Sequence, residues 1–146
     1  MSRLLGVYEE KPEDFSPAVE VAACHIESER GLLLLRRAPL ESEPGTWGVP
    51  GGKIEAGESP IEGALRELFE ETSIALERSS IEEVCKFYIR KAELDYTYHL
   101  FRIRLDRDFE VRISDEHTDY QWVSDTDLKD MPLIAGAKEI LDFLVK

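Results

Sequence analysis

A glycine pair running into a fully specified helix constrains this chain more than any other stretch of it. Residues 51–74 read GGKIEAGESPIEGALRELFEETSI. Ser59 is placed to cap the first turn, Pro60 fits the first helical position with its φ already set, and Glu62 completes a capping box. At 3.6 residues per turn, Ile61, Ala64, Leu65, Leu68 and Thr72 fall together as a mostly apolar face. The start and the buried side of this helix are thus both written locally.

The same helix carries Glu67, Glu70 and Glu71 at spacing i, i+3, i+4, which stacks their carboxylates on one stripe. Without a counter-charge they repel each other. Arg66 stands four residues after Glu62 and four before Glu70, so it can bond either carboxylate, each pair adding only about 0.2–0.5 kcal/mol on an exposed helix. Taken alone, the stripe reads as a solvated face. Gly51, Gly52 and Gly57 change that reading, because they permit a close backbone approach that side chains would block, and Glu58 ends the same loop just before the cap. An all-oxygen cluster beside bare backbone suits a hard divalent cation, Mg²⁺ or Mn²⁺, whereas zinc prefers nitrogen and sulfur ligands.

These residues resemble the signature of the Nudix hydrolases, of the MutT-like type that hydrolyses nucleoside polyphosphates. The match runs through Gly52, Glu58, Arg66, Glu67, Leu68, Glu70, Glu71 and Ile74, and Trp47, Pro50 and Gly51 look like the loop that enters this box. Ser73 departs from the glycine of the pattern, and since Ser takes φ > 0 less easily, the helix is expected to end differently or to run on a little. The resemblance implies that Glu67, Glu70 and Glu71 ligate Mg²⁺, with Mn²⁺ as a substitute, helped by the Gly51 carbonyl and supported by Glu58. It also implies a glutamate general base, Glu70 or Glu71 first. Glu116 is a second candidate for that role, against an equal reading as an exposed carboxylate in the SDEHTD stretch.

The rest of the chain is compatible with one domain over residues 1–146. That length can bury roughly 70% of the unfolded surface, and 42% hydrophobic residues are enough for a core. Apolar segments at Val19–Ile26 and Leu32–Arg37 flank a turn and read as a hairpin. A loop rich in Pro and Gly follows from Ala38 to Gly52, then strands at Val84–Arg90, Tyr96–Leu105 and Tyr120–Val123, and an amphipathic helix at about Ile134–Lys146. Strands interleaved with helices indicate an α/β fold with a mixed sheet between helical layers, and the Nudix resemblance implies the same α/β/α sandwich. Cys24 and Cys85 read as small buried hydrophobes with free thiols. The start of the chain has no apolar core of a signal peptide and no aliphatic run approaches the ~20 residues of a membrane span, so a cytoplasmic location is expected.

A net charge of -13 removes the basic footprint that duplex or long single-stranded nucleic acid needs. A small anion can still bind where divalent ions reverse the local field. Arg36 and Arg37 end a strand beside the binding loop; alternation sends them to opposite faces, so at most one reaches a phosphate, with Lys53 a further candidate. Trp47, Tyr96 and Tyr98 can stack on a base, while Phe101 reads as core. His25, His99 and His117 show no ligand spacing and are expected to be structural or superficial unless the fold brings one to the metals. In the family, ADP-ribose hydrolases tend to carry a proline after the box, and Ala75–Met131 contains none. The resemblance therefore leads to a nucleoside diphosphate-linked substrate, a (d)NTP or oxidised nucleotide first, with dinucleoside polyphosphates or nucleotide sugars as enzymatic alternatives. A nucleotide-sensing domain without catalysis is the other class, although such domains commonly lose the box glutamates. A monomer or homodimer is expected.

Overall fold

The computed structural model describes residues 6–91 and 94–144. Strands β1 (Gly6–Tyr8), β2 (Pro17–Ser28), β3 (Gly31–Arg37), β4 (Trp47–Gly48) and β5 (Gly51–Lys53) precede helix α1 (Pro60–Thr72). Then come β6 (Ile81–Lys91), β7 (Leu94–Arg104), β8 (His117–Val123) and helices α2 (Asp125–Leu128) and α3 (Ala137–Leu144). All strands join one sheet in the order β1-β6-β7-β2-β3-β4, with β5 added to β2 and β8 to β3. It is mixed: β2 and β7 run parallel, Val19 opposite Tyr96 through Glu27 opposite Arg104, while the other pairs are antiparallel.

Alternation along the central strands divides the core between the two faces of the sheet. Ala22, Cys24 and Ile26 of β2 with Phe101 and Ile103 of β7 face α1 and pack on its Ala64 and Leu68. Phe87 and Ile89 of β6 with Leu100 of β7 face the other way and pack on Ile140 of α3. Hydrophobic burial at period 2 in the strands and 3.6 in the helices therefore builds the α/β/α sandwich. No described helix is long and apolar enough to cross a membrane.

The expected hairpin forms between β2 and β3, closed at Ser28 opposite Gly31. Gly31 has φ 119°, and a Cβ there would lie 2.2 Å from the Val123 carbonyl oxygen of β8, so conformation and packing both exclude a side chain. Five elements depart from the sequence reading, two of them, β4 and β5, by pairing with β3 and β2 largely within the stretch read as a loop. β1 and α2 are too short to show a periodicity, α2 being held by Ser124 Oγ, which accepts from Asp127 N at 3.2 Å. The last helix begins at Ala137, after Gly136 at φ 93°, and its expected end at Val145 and Lys146 lies outside the described residues. Both cysteines are free, Cys24 buried and Cys85 only half-buried, because the β-bulge between Glu83 and Cys85 turns the latter partly outward.

Candidate active site

Helix α1 starts as its local sequence dictates. Ser59 Oγ accepts from Glu62 N at 3.3 Å and Glu62 Oε1 accepts from Ser59 N at 2.9 Å, so the capping box commits Glu62 to the cap and leaves Arg66 to the other carboxylates. Its end corrects the expectation for Ser73. That residue takes the left-handed conformation itself, φ 65°, and its N–H donates to Phe69 O at 2.8 Å, closing the helix where a glycine would. The buried face of the helix outweighs the cost of a non-glycine residue in that conformation.

The stripe of three carboxylates is divided by burial. Glu71 is only 4% exposed. Its Oε1 accepts from Gly51 N at 2.7 Å, which ties the helix to β5. Glu67 is shielded next to Gly52, where a Cβ would sit 2.4 Å from the Glu67 carboxyl carbon. Glu70 reaches solvent, its side chain 54% exposed. Sequence spacing put the three on one stripe; the sheet edge carrying Gly51 and Gly52 decides which of them is covered.

Arg66 gathers the acids that remain. Its Nε and Nη2 hold Glu58 at 2.7 and 3.0 Å, its Nη1 holds Glu67 at 2.9 Å and Glu70 at 3.1 Å, and Nη2 also donates to the Lys53 carbonyl at 2.9 Å. One guanidinium thus bonds three carboxylates, with Glu55 a further ion pair at 3.6 Å, and Glu71 lies outside these contacts. The protonation chemistry follows. The bidentate contact with Arg66 draws the Glu58 carboxyl down to about 2. Burial pushes Glu71 up to about 8, with the charges of Glu67 and Glu116 adding and the Gly51 N–H opposing. Burial also raises Glu67, against Arg66. Glu71, shielded and with no arginine bonded to it, is the acid a divalent cation relieves, and carboxylate oxygens suit a hard one. Glu67, Glu70, Glu71 and the Gly51 carbonyl are the groups on α1 and β5 able to hold it.

From the far end of the sequence, Glu116 and His117 arrive at the same place. Ligand atoms of Glu71, Glu116 and His117 lie within 4.8 Å of one another. Glu116 is exposed but directed at Glu71, so its position joins the two readings given to it. His117 Nε2 stands 4.0 Å from Glu71 Oε2. Burial and the nearby Arg37 charge hold the His117 imidazole below its usual range. Of the three histidines it is the one the fold brings to the acids, the exception that the sequence reading left open. A bulge in the β3–β8 ladder explains it: Arg36 pairs with Asp119 and Arg37 with His117, so Thr118 is the extra residue and His117 turns toward the cavity. His25 and His99 are buried and bond Glu27 and Glu20, each at 3.0 Å.

A cavity of about 300 Å³ opens beside these groups. Gly51, Gly52, Glu71 and His117 line it, as do Val21, Tyr96, Tyr98, Leu133 and Ile140. Of the proposed recognition residues, Arg37 and Lys53 line it, whereas Arg36 points to solvent on the opposite face of β3, as alternation requires. Arg37 is held by Ser42, its Nη2 donating to Oγ at 2.9 Å. Trp47 is corrected: it is 7% exposed and packs with Leu32, Leu34 and Val123, so its ring belongs to the core and does not present a stacking face. Sequence reasoning missed Lys91, which lines the cavity, lies 5.7 Å over the Tyr96 ring and bonds Glu43 Oε2 at 3.1 Å. Glu43 in turn accepts from Ala135 N at 2.8 Å, joining the binding loop to the segment before α3.

The family model described as NUDIX domain matches residues 16–144. The chain is similar to the uncharacterized Nudix hydrolase YvcI of Bacillus subtilis (strain 168), 30% identical over 128 residues that cover 86% of this chain and 78% of that protein. A MutT-like protein of Streptomyces ambofaciens is 32% identical over 127 residues, 87% of this chain and 77% of its own length. Among solved structures, the MutT protein from Methanosarcina mazei Go1 superposes with a TM-score of 0.73 at 30% identity, covering 87% of this chain and 92% of that one. A match of this extent means that the chain belongs to the Nudix hydrolases, enzymes that act on nucleoside diphosphate derivatives.

Proposed function

We propose that residues 1–146 act as one Nudix domain that hydrolyses a nucleoside triphosphate, in its ordinary or oxidised form, with Mg²⁺. The observation that carries this reading is a single cavity lined both by Glu71 and by the rings of Tyr96 and Tyr98. An acidic end suits a cation-bound polyphosphate, and an apolar, aromatic wall suits a base. Arg37 and Lys53 supply the local positive charge that a phosphate chain needs in a protein of net charge -13.

Glu67, Glu70, Glu71 and the Gly51 carbonyl would hold Mg²⁺, with Mn²⁺ as a substitute, and Glu58 keeps Arg66 placed behind them. When bound, the cation neutralises phosphoryl oxygens and lowers the pKa of a coordinated water. Arg66 fixes Glu67 and Glu70 in their rotamers, and the Gly51 N–H fixes Glu71. Water oxygen bonds to phosphorus as the anhydride P–O bond breaks, and the proton lost from water passes to a glutamate, Glu71 in the first instance and Glu116 as the alternative acceptor. Arg37 orients the phosphate chain. The tyrosine wall excludes water from the nucleoside.

Incubation with a panel of nucleoside triphosphates, dinucleoside polyphosphates and nucleotide sugars plus Mg²⁺ tests the proposal. Release of a nucleoside monophosphate and pyrophosphate from a triphosphate is expected. Tight nucleotide binding without any product would replace it with a sensing role, and turnover of the other two classes alone would move the substrate assignment.

A further inference from the structure

His117 carries the further step. Its side chain is only 6% exposed, and its Nδ1 is buried with no hydrogen-bond partner. An unpaired buried Nδ1 is costly, and it is the atom that carries the proton when the ring holds a cation through its other nitrogen. The other ring nitrogen, Nε2, faces Glu71 Oε2 at 4.0 Å, too far for a hydrogen bond. That gap fits an ion between them. Two ligands each about 2.1 Å from one cation are separated by about 3 Å at a right angle and about 4.2 Å in line. Glu116, exposed and within 4.8 Å of both, is free to swing in as a third ligand. The bulge at Thr118 is the backbone feature that turns the ring to this position, and β-bulges serve that purpose beside active sites.

We propose that His117 is a metal ligand, completing with Glu71 and Glu116 a cation position that carries one nitrogen. This inference rests on the divalent-cation reading of the Glu71 site and refines it. Imidazole suits transition ions better than Mg²⁺, which strongly prefers oxygen, so this position selects Mn²⁺, or another transition ion, over Mg²⁺. The glutamates held by Arg66 provide the all-oxygen surroundings that suit Mg²⁺. The protein then discriminates between the two ions by position.

Pulsed electron paramagnetic resonance of the whole protein with one equivalent of Mn²⁺ at pH 8 tests this. Nitrogen modulation of a coordinated imidazole is expected in the native chain and absent in His117→Ala. In calorimetric titrations, His117→Ala should weaken Mn²⁺ by at least about tenfold, the loss seen when even an outer partner of a ligand is removed, and weaken Mg²⁺ by much less. Bound Mn²⁺ without nitrogen modulation in the native protein overturns the assignment, and that measurement stands even if the variant does not fold. Equal weakening of the two ions also overturns it, since it would make His117 a general support of the pocket or a phosphate contact. If Mg²⁺-dependent nucleotide cleavage persists in either case, the proposed function survives its failure. No Mn²⁺ or Mg²⁺ binding at all would remove both.

Discussion

Two arginines of this protein each gather carboxylates, and they do so with opposite charge balance. Arg90 on β6 bonds Asp95 on β7 at 3.0 Å and Asp14 at 3.1 Å, and Asp95, 4% exposed, also accepts from Ser16 N at 3.1 Å. Those contacts fasten the segment between β1 and β2 to the β6–β7 end of the sheet, and they draw the Arg90 guanidinium further up from its ordinary value. Arg66 on α1 instead divides its donors among Glu58, Glu67 and Glu70, with Glu71 and Glu116 close by and outside its bonds. The first cluster is complete as it stands. The second is short of positive charge on its buried side, and that deficit distinguishes a place built to receive a cation from one built to hold strands together.

The strongest way to break this comparison is Glu71→Gln. A neutral amide keeps the shape and the contact with Gly51 N while removing the acid that burial holds in excess, so turnover of the substrate found in the panel should fall by about 10² to 10⁴ while the thermal midpoint without metal does not drop. Near-native kcat would return the deficit to the status of an ordinary acidic face. Next comes the pair of arginine variants. Arg66→Gln should lower kcat by about 10- to 100-fold, the usual effect of losing a group that orients metal ligands, whereas Arg90→Gln should lower the melting temperature and leave kcat unchanged. If both variants lose only stability, the two clusters are alike.

Cation binding itself should sharpen the contrast. Mg²⁺ at about one hundred times its Kd should stabilise the native protein by about 2.7 kcal/mol, read as a rise in melting temperature that EDTA reverses. The Arg90→Gln protein should show the same rise and Glu71→Gln little of it. The smallest expected effect is at the end of the same helix. Ser73→Gly removes the strain of a serine at φ 65° and should add up to about 1 kcal/mol of stability in denaturant unfolding, with kcat untouched. A change in kcat there would mean that the helix end, and not only its charges, positions the site.

Much of this was readable from residue order alone because it is local. The capping box at Ser59 and Glu62, the apolar face of α1 and the reach of Arg66 to Glu70 all involve groups within a turn of one another, so periodicity suffices to find them. The two-residue turn before Gly31 and the alternation that separates Arg36 from Arg37 are equally short-range. Trp47 went the other way, since an aromatic residue in a glycine-rich loop looks available until Leu32, Leu34 and Val123 close over it. Ser73 shows the same override, because tertiary burial of α1 imposes a conformation that its own side chain disfavours.

What residue order determined by itself was a capped helix bearing acids at the spacing of a metal site, since helical geometry converts spacing into proximity without reference to the rest of the chain. What only the tertiary structure decided was which acid is shielded, which strand meets it and who arrives from elsewhere. Glu71 is buried because β5 lays Gly51 against it, and His117 reaches it through the register of β3 with β8 and one bulge. Strand pairing joins residues far apart in the sequence, and a shift of a single position reverses the face a side chain takes, so no local pattern encodes that meeting.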